Sequence, residues 1–151
     1  RRRRLGNSLL RPPMDHHEIW RDVPSINGVE ASSNGCVRVK TFYGPGPRGG
    51  VRPYGGKTII GFWDGKRLTW NFRGTTYKIA RLVCEAFNGS APFAKAVCMH
   101  IDENPRNNRP DNLQWGSQRE NLNAPGFKAY CRSRVGSLNP RVKARHNREA
   151  A

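Results

Sequence analysis

Residues 96–123, AVCMHIDENPRNNRPDNLQWGSQRENLN, leave the backbone few choices. Ala96-Val97-Cys98-Met99 is an apolar run long enough for one strand and too short for a helix, and it delivers His100 from its end. The polar stretch that follows carries Asp102, Asn104, Pro105, Asn107, Asn108, Pro110 and Asp111. These residues favour turns, the amides and carboxylates by bonding to nearby backbone and proline by fixing φ. Leu113 and Trp115 then alternate with polar neighbours, as in a strand with one buried face. Ser117-Gln118-Arg119-Glu120 is a capping box, which starts a short helix at Gln118 and carries Asn121 in its first turn and a half. Pro125 and Gly126 are expected to stop that helix. Strand, turn, strand and helix in this order bring His100 and Asn121 face to face across a small cleft.

The chain upstream supplies a platform. Residues 17–40 pass from Ile19-Trp20 through turns at Asn27-Gly28 and Asn34-Gly35 to an alternating Val37-Arg38-Val39, a small β-rich lobe. Residues 44–56, GPGPRGGVRPYGG, read as a loop because Gly and Pro dominate them. From Lys57, two β-rich runs flank Asp64-Gly65, a dipeptide that tolerates positive φ, and predict a hairpin. Ile79, Leu82, Val83 and Ala86 then form one helical stripe that should end near Asn88-Gly89. No internal repeat is evident. The expected organisation is a basic arm over 1–14, the β-rich lobe and Gly/Pro loop over 15–56, hairpin, helix and cleft over 57–127, and a basic tail over 128–151. At 151 residues this is one folded unit with tails, of α+β class.

Charge names the class of partner. The formal net charge is +16, and it is concentrated at the ends. Residues 1–14 hold five arginines and no acid, and residues 128–151 hold seven Lys/Arg against one acid. Such runs suit a polyanion, and phosphate contacts of this kind make affinity steeply salt-dependent. No stretch approaches the ~18 consecutive apolar residues of a membrane span, so no membrane role is expected. The expected setting is the cytoplasm, or an organelle if a targeting peptide has been removed, and Arg rather than Met at position 1 is consistent with a trimmed or processed chain. Cys36, Cys84, Cys98 and Cys131 lie far apart and read as free thiols rather than a disulfide framework. Cys98 and His100 lack a second ligand pair at metal-site spacing, which argues against a zinc module.

The cleft suits one chemistry. Hydrolysis of a phosphodiester needs a base for water, a cation to neutralise developing charge and a group that holds the base. His100 titrates near neutrality, Asn121 offers a hard amide oxygen, and Asn112 is placed to tie the loop carrying His100. Phosphate contacts are expected from Arg106, Arg109 and Arg119 near the cleft and from Arg67 and Arg73 on the hairpin. Trp20, Trp63, Trp70 and Trp115 are read as core packing before base stacking.

His100, twelve residues to Asn112 and nine more to Asn121, with Asn107-Asn108 before Asn112-Leu113-Gln114-Trp115 and Glu120-Asn121 after, resembles the HNH homing-endonuclease group of bacteriophages and mobile introns. Glu18-Ile19-Trp20-Arg21-Asp22-Val23-Pro24 and Ser33-Asn34-Gly35-Cys36-Val37-Arg38-Val39 resemble the NUMOD4 module that often precedes this motif. Residues 77–87, YKIARLVCEAF, resemble the helix that leads into it. Gly136-Ser137-Leu138-Asn139-Pro140 faintly resembles linkers that precede a helical DNA-reading element in this family.

The resemblance implies a ββα-metal core in a phage or bacterial host. In it His100 is the general base, Asn112 orients it, and Asn121 ligates one divalent ion, Mg²⁺ or Mn²⁺. Many relatives place an Asp or Asn before the His as a second ligand. Here Met99 stands there, a soft thioether, and Asp102 is the substitute the turn would have to carry inward. The expected function is metal-dependent hydrolysis of DNA. The alternative is an inactive descendant that binds DNA or structured RNA within a larger nucleoprotein particle.

Overall fold

A computed structural model describes residues 17–134. The arm over 1–14 and the Gly136–Pro140 linker lie outside the described residues, as does most of the expected C-terminal tail.

The N-terminal lobe is a three-stranded antiparallel sheet, β1 (Trp20–Asp22), β2 (Val29–Ser32) and β3 (Val37–Val39), with β2 in the middle. Its turns use the glycines expected of them. Gly35, at φ 78, closes the β2–β3 turn by donating its N–H to Ser32 O at 3.0 Å. Val29, Ala31 and Val37 alternate onto the buried face. Val37 and Ile59 exchange backbone hydrogen bonds at 2.9 and 2.8 Å, which fastens the lobe to the rest of the chain.

The Gly/Pro-rich stretch is not a loop. Phe42–Pro45 (β4) and Val51–Tyr54 (β5) pair antiparallel around a 3-10 turn at Pro47–Gly49. Pro53 is accommodated because each strand has a free edge in this two-stranded sheet, so the missing N–H costs no ladder bond.

The next sheet contains β6 (Phe62–Trp63), β7 (Leu68–Phe72) and β8 (Thr75–Lys78). Asp64 builds the expected turn, its Oδ1 accepting from the backbone N–H of Lys66 and Arg67 at 2.8 and 2.7 Å. The third strand follows from a second turn at Arg73-Gly74, where φ is 50 and 78. Helix α1 (Ile79–Asn88) then presents Ile79, Leu82 and Val83 to Val29, Ala31, Val37 and Leu113, so one apolar core runs from the lobe to the last strand. Gly89, at φ 81, ends the helix.

Strands β9 (Val97–His100) and β10 (Leu113–Gly116) pair with His100 opposite Leu113 and Cys98 opposite Trp115. Helix α2 (Gln118–Asn123) starts at a complete capping box, with Glu120 N–H donating to Ser117 Oγ at 3.2 Å and Ser117 N–H to Glu120 Oε2 at 2.6 Å. Chain direction changes at Ala124, yet Pro125 opens a further helix, α3 (Pro125–Arg134), over the start of the expected tail. Proline suits that first helical position because its absent N–H would have had no helical partner. Among the described residues no helix is long and apolar enough to cross a membrane.

Candidate active site

His100 ends β9, and the turn behind it is built largely by side-chain amides. Asn112 is buried, with its Oδ1 accepting from Asp102 N–H at 3.0 Å. Its Nδ2 donates to Asp102 Oδ1 and to Asn107 O, each at 2.8 Å. Asn112 O accepts from Ile101 N–H at 2.9 Å. Asn112 therefore grips the chain just after His100 and contacts the turn rather than the imidazole. Asp102 also accepts from Asn104 N–H at 2.8 Å and from Asn107 Nδ2 at 2.8 Å. Desolvation works against the charged carboxylate, but the bonds from Asn107, Asn104 and Asn112, with the charge of His100, together hold its carboxyl below the usual range.

The group in direct contact with the imidazole is Asn108, which is 4% exposed, with Oδ1 2.9 Å from His100 Nε2. Asn108 Nδ2 is buried without a hydrogen-bond partner. As acceptor, Asn108 places the proton on Nε2 and leaves the lone pair on Nδ1. Arg67 Nη1 stands 3.4 Å from that Nδ1. Burial, and then repulsion from Arg67, push the His100 pKa below its ordinary value, against the opposing pull of Asn108 and Asp102. The imidazole is thus neutral at neutral pH, as a proton acceptor must be.

Two cavities open beside it. One, of about 490 Å³, is lined by Arg67, Arg81, His100, Asn108, Gln118 and Asn121, among others. The other, of about 690 Å³, includes Arg67, Met99, His100, Glu103, Glu120 and Asn121 in its wall. His100, Asn121 and Arg67 thus share both spaces. Asp102 lines neither, because its oxygens are engaged inside the turn.

The other arginines expected to meet phosphate are more dispersed. Arg106 lies over the Trp63 ring at 4.3 Å, and Arg73 over Phe72 at 4.9 Å. Arg109 approaches Asp111 at 3.8 Å, and Arg119 is exposed on α2. The tryptophans are largely structural: Trp70 and Trp115 pack on the core, Trp115 Nε1 donates to Gly89 O at 2.8 Å, and Arg38 covers Trp20 at 3.9 Å.

Residues 77–123 match the family model HNH_3, described as HNH endonuclease. Over these residues the chain is similar to HNH endonucleases. The matched segment runs from β8 through α1 to the end of α2, and so includes His100, Asn108, Asn112 and Asn121. A solved structure titled "DNA binding and cleavage by the HNH homing endonuclease I-HmuI" is similar over 87% of this chain and 66% of that one, at 19% identity and a TM-score of 0.45. No curated protein matches the chain.

HNH nucleases generally use a divalent metal ion, so the donors of the HNH segment have to be measured against one. Among the described residues no group of three or more His, Cys, Asp or Glu could hold a metal ion. Asn121 offers one hard amide oxygen to the shared cavities, whereas Met99 offers a thioether. Cys98 donates its thiol to Ala80 O at 3.3 Å, and the Cys84 thiol together with burial pushes its pKa up, so it stays protonated. The donors fit a cation that brings most of its own shell, as Mg²⁺ does with water and substrate phosphates.

Two residues important to this geometry carry no distinguishing mark in the sequence. Asn108 sits in the motif beside Asn107, and nothing in the spacing separates the amide that faces the histidine from the amides that build the turn. The second is Gly35, whose missing side chain makes room for the Asn108 backbone: a Cβ there would lie 2.7 Å from Asn108 C and O.

Proposed function

We propose that this chain hydrolyses DNA phosphodiester bonds with His100 as the general base. The observation that carries the reading is the His100 imidazole, fixed through Nε2 by buried Asn108 and sharing its cavities with Asn121 and Arg67. Nδ1 takes the proton of the attacking water as its oxygen bonds to phosphorus, and the departing deoxyribose oxygen is reprotonated from solvent. Arg67, at 3.4 Å from Nδ1 in the free chain, turns to a phosphate oxygen when DNA enters. Asn112 keeps the turn behind His100 in place, so the base meets the water without reorganising. A divalent ion held by Asn121, Mg²⁺ or Mn²⁺, would supply neutralisation of charge on the phosphate and leaving oxygen.

In this reading β9, β10 and α2 form the ββα-metal core within residues 57–127. Residues 15–56 act as a NUMOD4-like DNA-contacting lobe, and Arg73, Arg106, Arg109 and Arg119 meet flanking phosphates. One observation favours a second reading, an HNH-fold protein that binds DNA without cutting it: Met99 borders the same cavity as Asn121 where a hard oxygen would serve the cation. Supercoiled plasmid incubated with Mg²⁺ or Mn²⁺ separates the two. Nicking that is lost in His100→Ala supports the nuclease, whereas tight salt-sensitive binding with no nicking by the unaltered chain sinks it.

A further inference from the structure

We propose that Glu103 is a positioning residue that holds the two sides of the cleft, His100 on one and Asn121 on the other, at a fixed separation. The inference rests on the reading that both residues serve phosphodiester hydrolysis, and adds what keeps them in register.

Glu103 closes the turn that begins at His100, donating its N–H to His100 O at 3.2 Å. Its carboxylate leaves that turn and reaches α3, where Oε1 accepts from Gly126 N–H at 3.0 Å. That N–H belongs to the first turn of α3, whose donors have no helical acceptor, and the helix dipole favours a carboxylate there as well. One residue is thus bonded to the backbone of His100 at one end and to the chain just beyond α2 at the other.

The far side of this bridge leads back to Asn121. Helix α2 has six residues, and the capping box ties its first end. At its second end Ala124 N–H donates to Asn121 O at 3.4 Å, while Ala124 O accepts from Lys128 N–H at 3.0 Å, which builds Ala124 into the start of α3. Fastening Gly126 therefore fastens the second end of α2. Glu103, Asn121, Gly126 and Phe127 all border the cavity of about 690 Å³ that also holds His100.

Both partners of the contact are unusual for their positions. Glu103, at φ 58, is one of three non-glycine residues with positive φ among the described residues, in a conformation that glycine adopts without strain. Gly126 lies in the first turn of a helix, where alanine would give up less chain entropy, but a Cβ there would run into the Glu103 carboxylate. Each position thus carries the residue type that weakens its own backbone and permits the contact. Strain of this kind clusters at functional sites, where the surrounding structure holds it in place.

The test attacks the contact from both ends. Glu103→Gly relieves the backbone and removes the carboxylate, and Gly126→Ala displaces the carboxylate while restricting the unfolded chain, so urea unfolding should find neither less stable than the parent. Amide exchange, read by NMR on the free protein, should quicken about tenfold at position 126 and at Asn121 in both variants. It should stay near the parent in Glu103→Gln, which keeps an oxygen for Gly126 N–H. Single-turnover nicking at saturating DNA should fall by about 10- to 100-fold in the first two variants, the scale of a misplacement near 1 Å, with DNA affinity unchanged and Glu103→Gln close to the parent. A residue that merely builds the turn would lose no rate when replaced by glycine. Parent-like exchange at Asn121 in both Glu103→Gly and Gly126→Ala overturns the proposal. So does slow nicking by Glu103→Gln with position 126 still protected, which would put the carboxylate on the reacting groups themselves. If the unaltered chain nicks no DNA, the nuclease reading has failed, and the exchange measurements still decide whether Glu103 holds Asn121.

Discussion

Gly35, in the turn between β2 and β3, lies so close to Asn108, in the turn after β9, that an added Cβ would stand 2.7 Å from the Asn108 backbone, and Asn108 in turn holds His100. Two stretches of chain that share no secondary structure meet at the residue that sets the histidine tautomer. Gly35→Ala is therefore expected to act at two levels. Any L-residue at φ 78 costs about 1–2 kcal/mol, and the added methyl collides with Asn108 backbone, which cannot move without moving the histidine. Gly28 serves as the control, at φ 77 with nothing within 4 Å of the place an added methyl would take. Urea unfolding should show Gly35→Ala less stable than Gly28→Ala by roughly 1–3 kcal/mol, the cost of overpacking. Nicking should be impaired in the first variant alone.

The pH dependence of nicking has a sign that two substitutions should move in opposite directions. His100 must be neutral to accept a proton, and burial lowers its pKa, so the rate should rise with pH along a limb whose midpoint lies below the ordinary histidine value of 6.5. Arg67 disfavours the imidazolium, so Arg67→Ala raises the pKa and shifts the rising limb to higher pH. Asn108 favours the imidazolium, so Asn108→Ala shifts it lower. Single-turnover rates at saturating DNA, measured across pH, check both.

The contrast between Gly35 and the HNH segment shows what a sequence makes legible. Ser117 through Glu120, the hairpin at Asp64-Gly65 and the stripe from Ile79 to Ala86 are local patterns, and each forms the element its spacing describes. Residues 44–56 read as a loop because Gly and Pro count against a strand, although a ribbon with two free edges tolerates both. Pro125 reads as a stop, since a proline that ends one helix and one that begins the next look alike. The His100–Asn108 contact and the approach of Arg67 are tertiary, made by residues whose types are common in turns and on hairpins. No spacing rule reports which of three nearby asparagines will face the ring.

Ser117→Ala should loosen Asn121 without touching it. Ser117 Oγ accepts from Glu120 N–H, and the returning bond holds the Glu120 carboxyl below its usual range. Loss of the cap should cost about 1 kcal/mol. Because α2 has six residues and begins at this cap, fraying there should reach Asn121. Chemical denaturation measures the first effect. The second should appear as a rise in the Mn²⁺ concentration needed for half-maximal nicking, with DNA affinity unchanged.

Met99→Asp tests the most distinctive position of the site. Met99 lies in the wall of the cavity that also holds Asn121, and its methyl fills the space a Cβ on Gly116 would take. Replacing it gives up that packing, with a stability loss of roughly 1–3 kcal/mol. It also places a second hard oxygen beside the amide of Asn121, raising affinity for a divalent ion through both charge and ligand count. Calorimetric titration of the free protein with Mn²⁺ should show a clear gain in binding over the parent, and that gain should disappear in Met99→Asp/Asn121→Ala. Met99→Leu separates packing from chemistry, since it keeps the bulk and adds no oxygen, and should bind no better than the parent. If Met99→Asp binds Mn²⁺ no more tightly than Met99→Leu while remaining folded, Met99 does not stand at a ligand position and the cation must be held elsewhere.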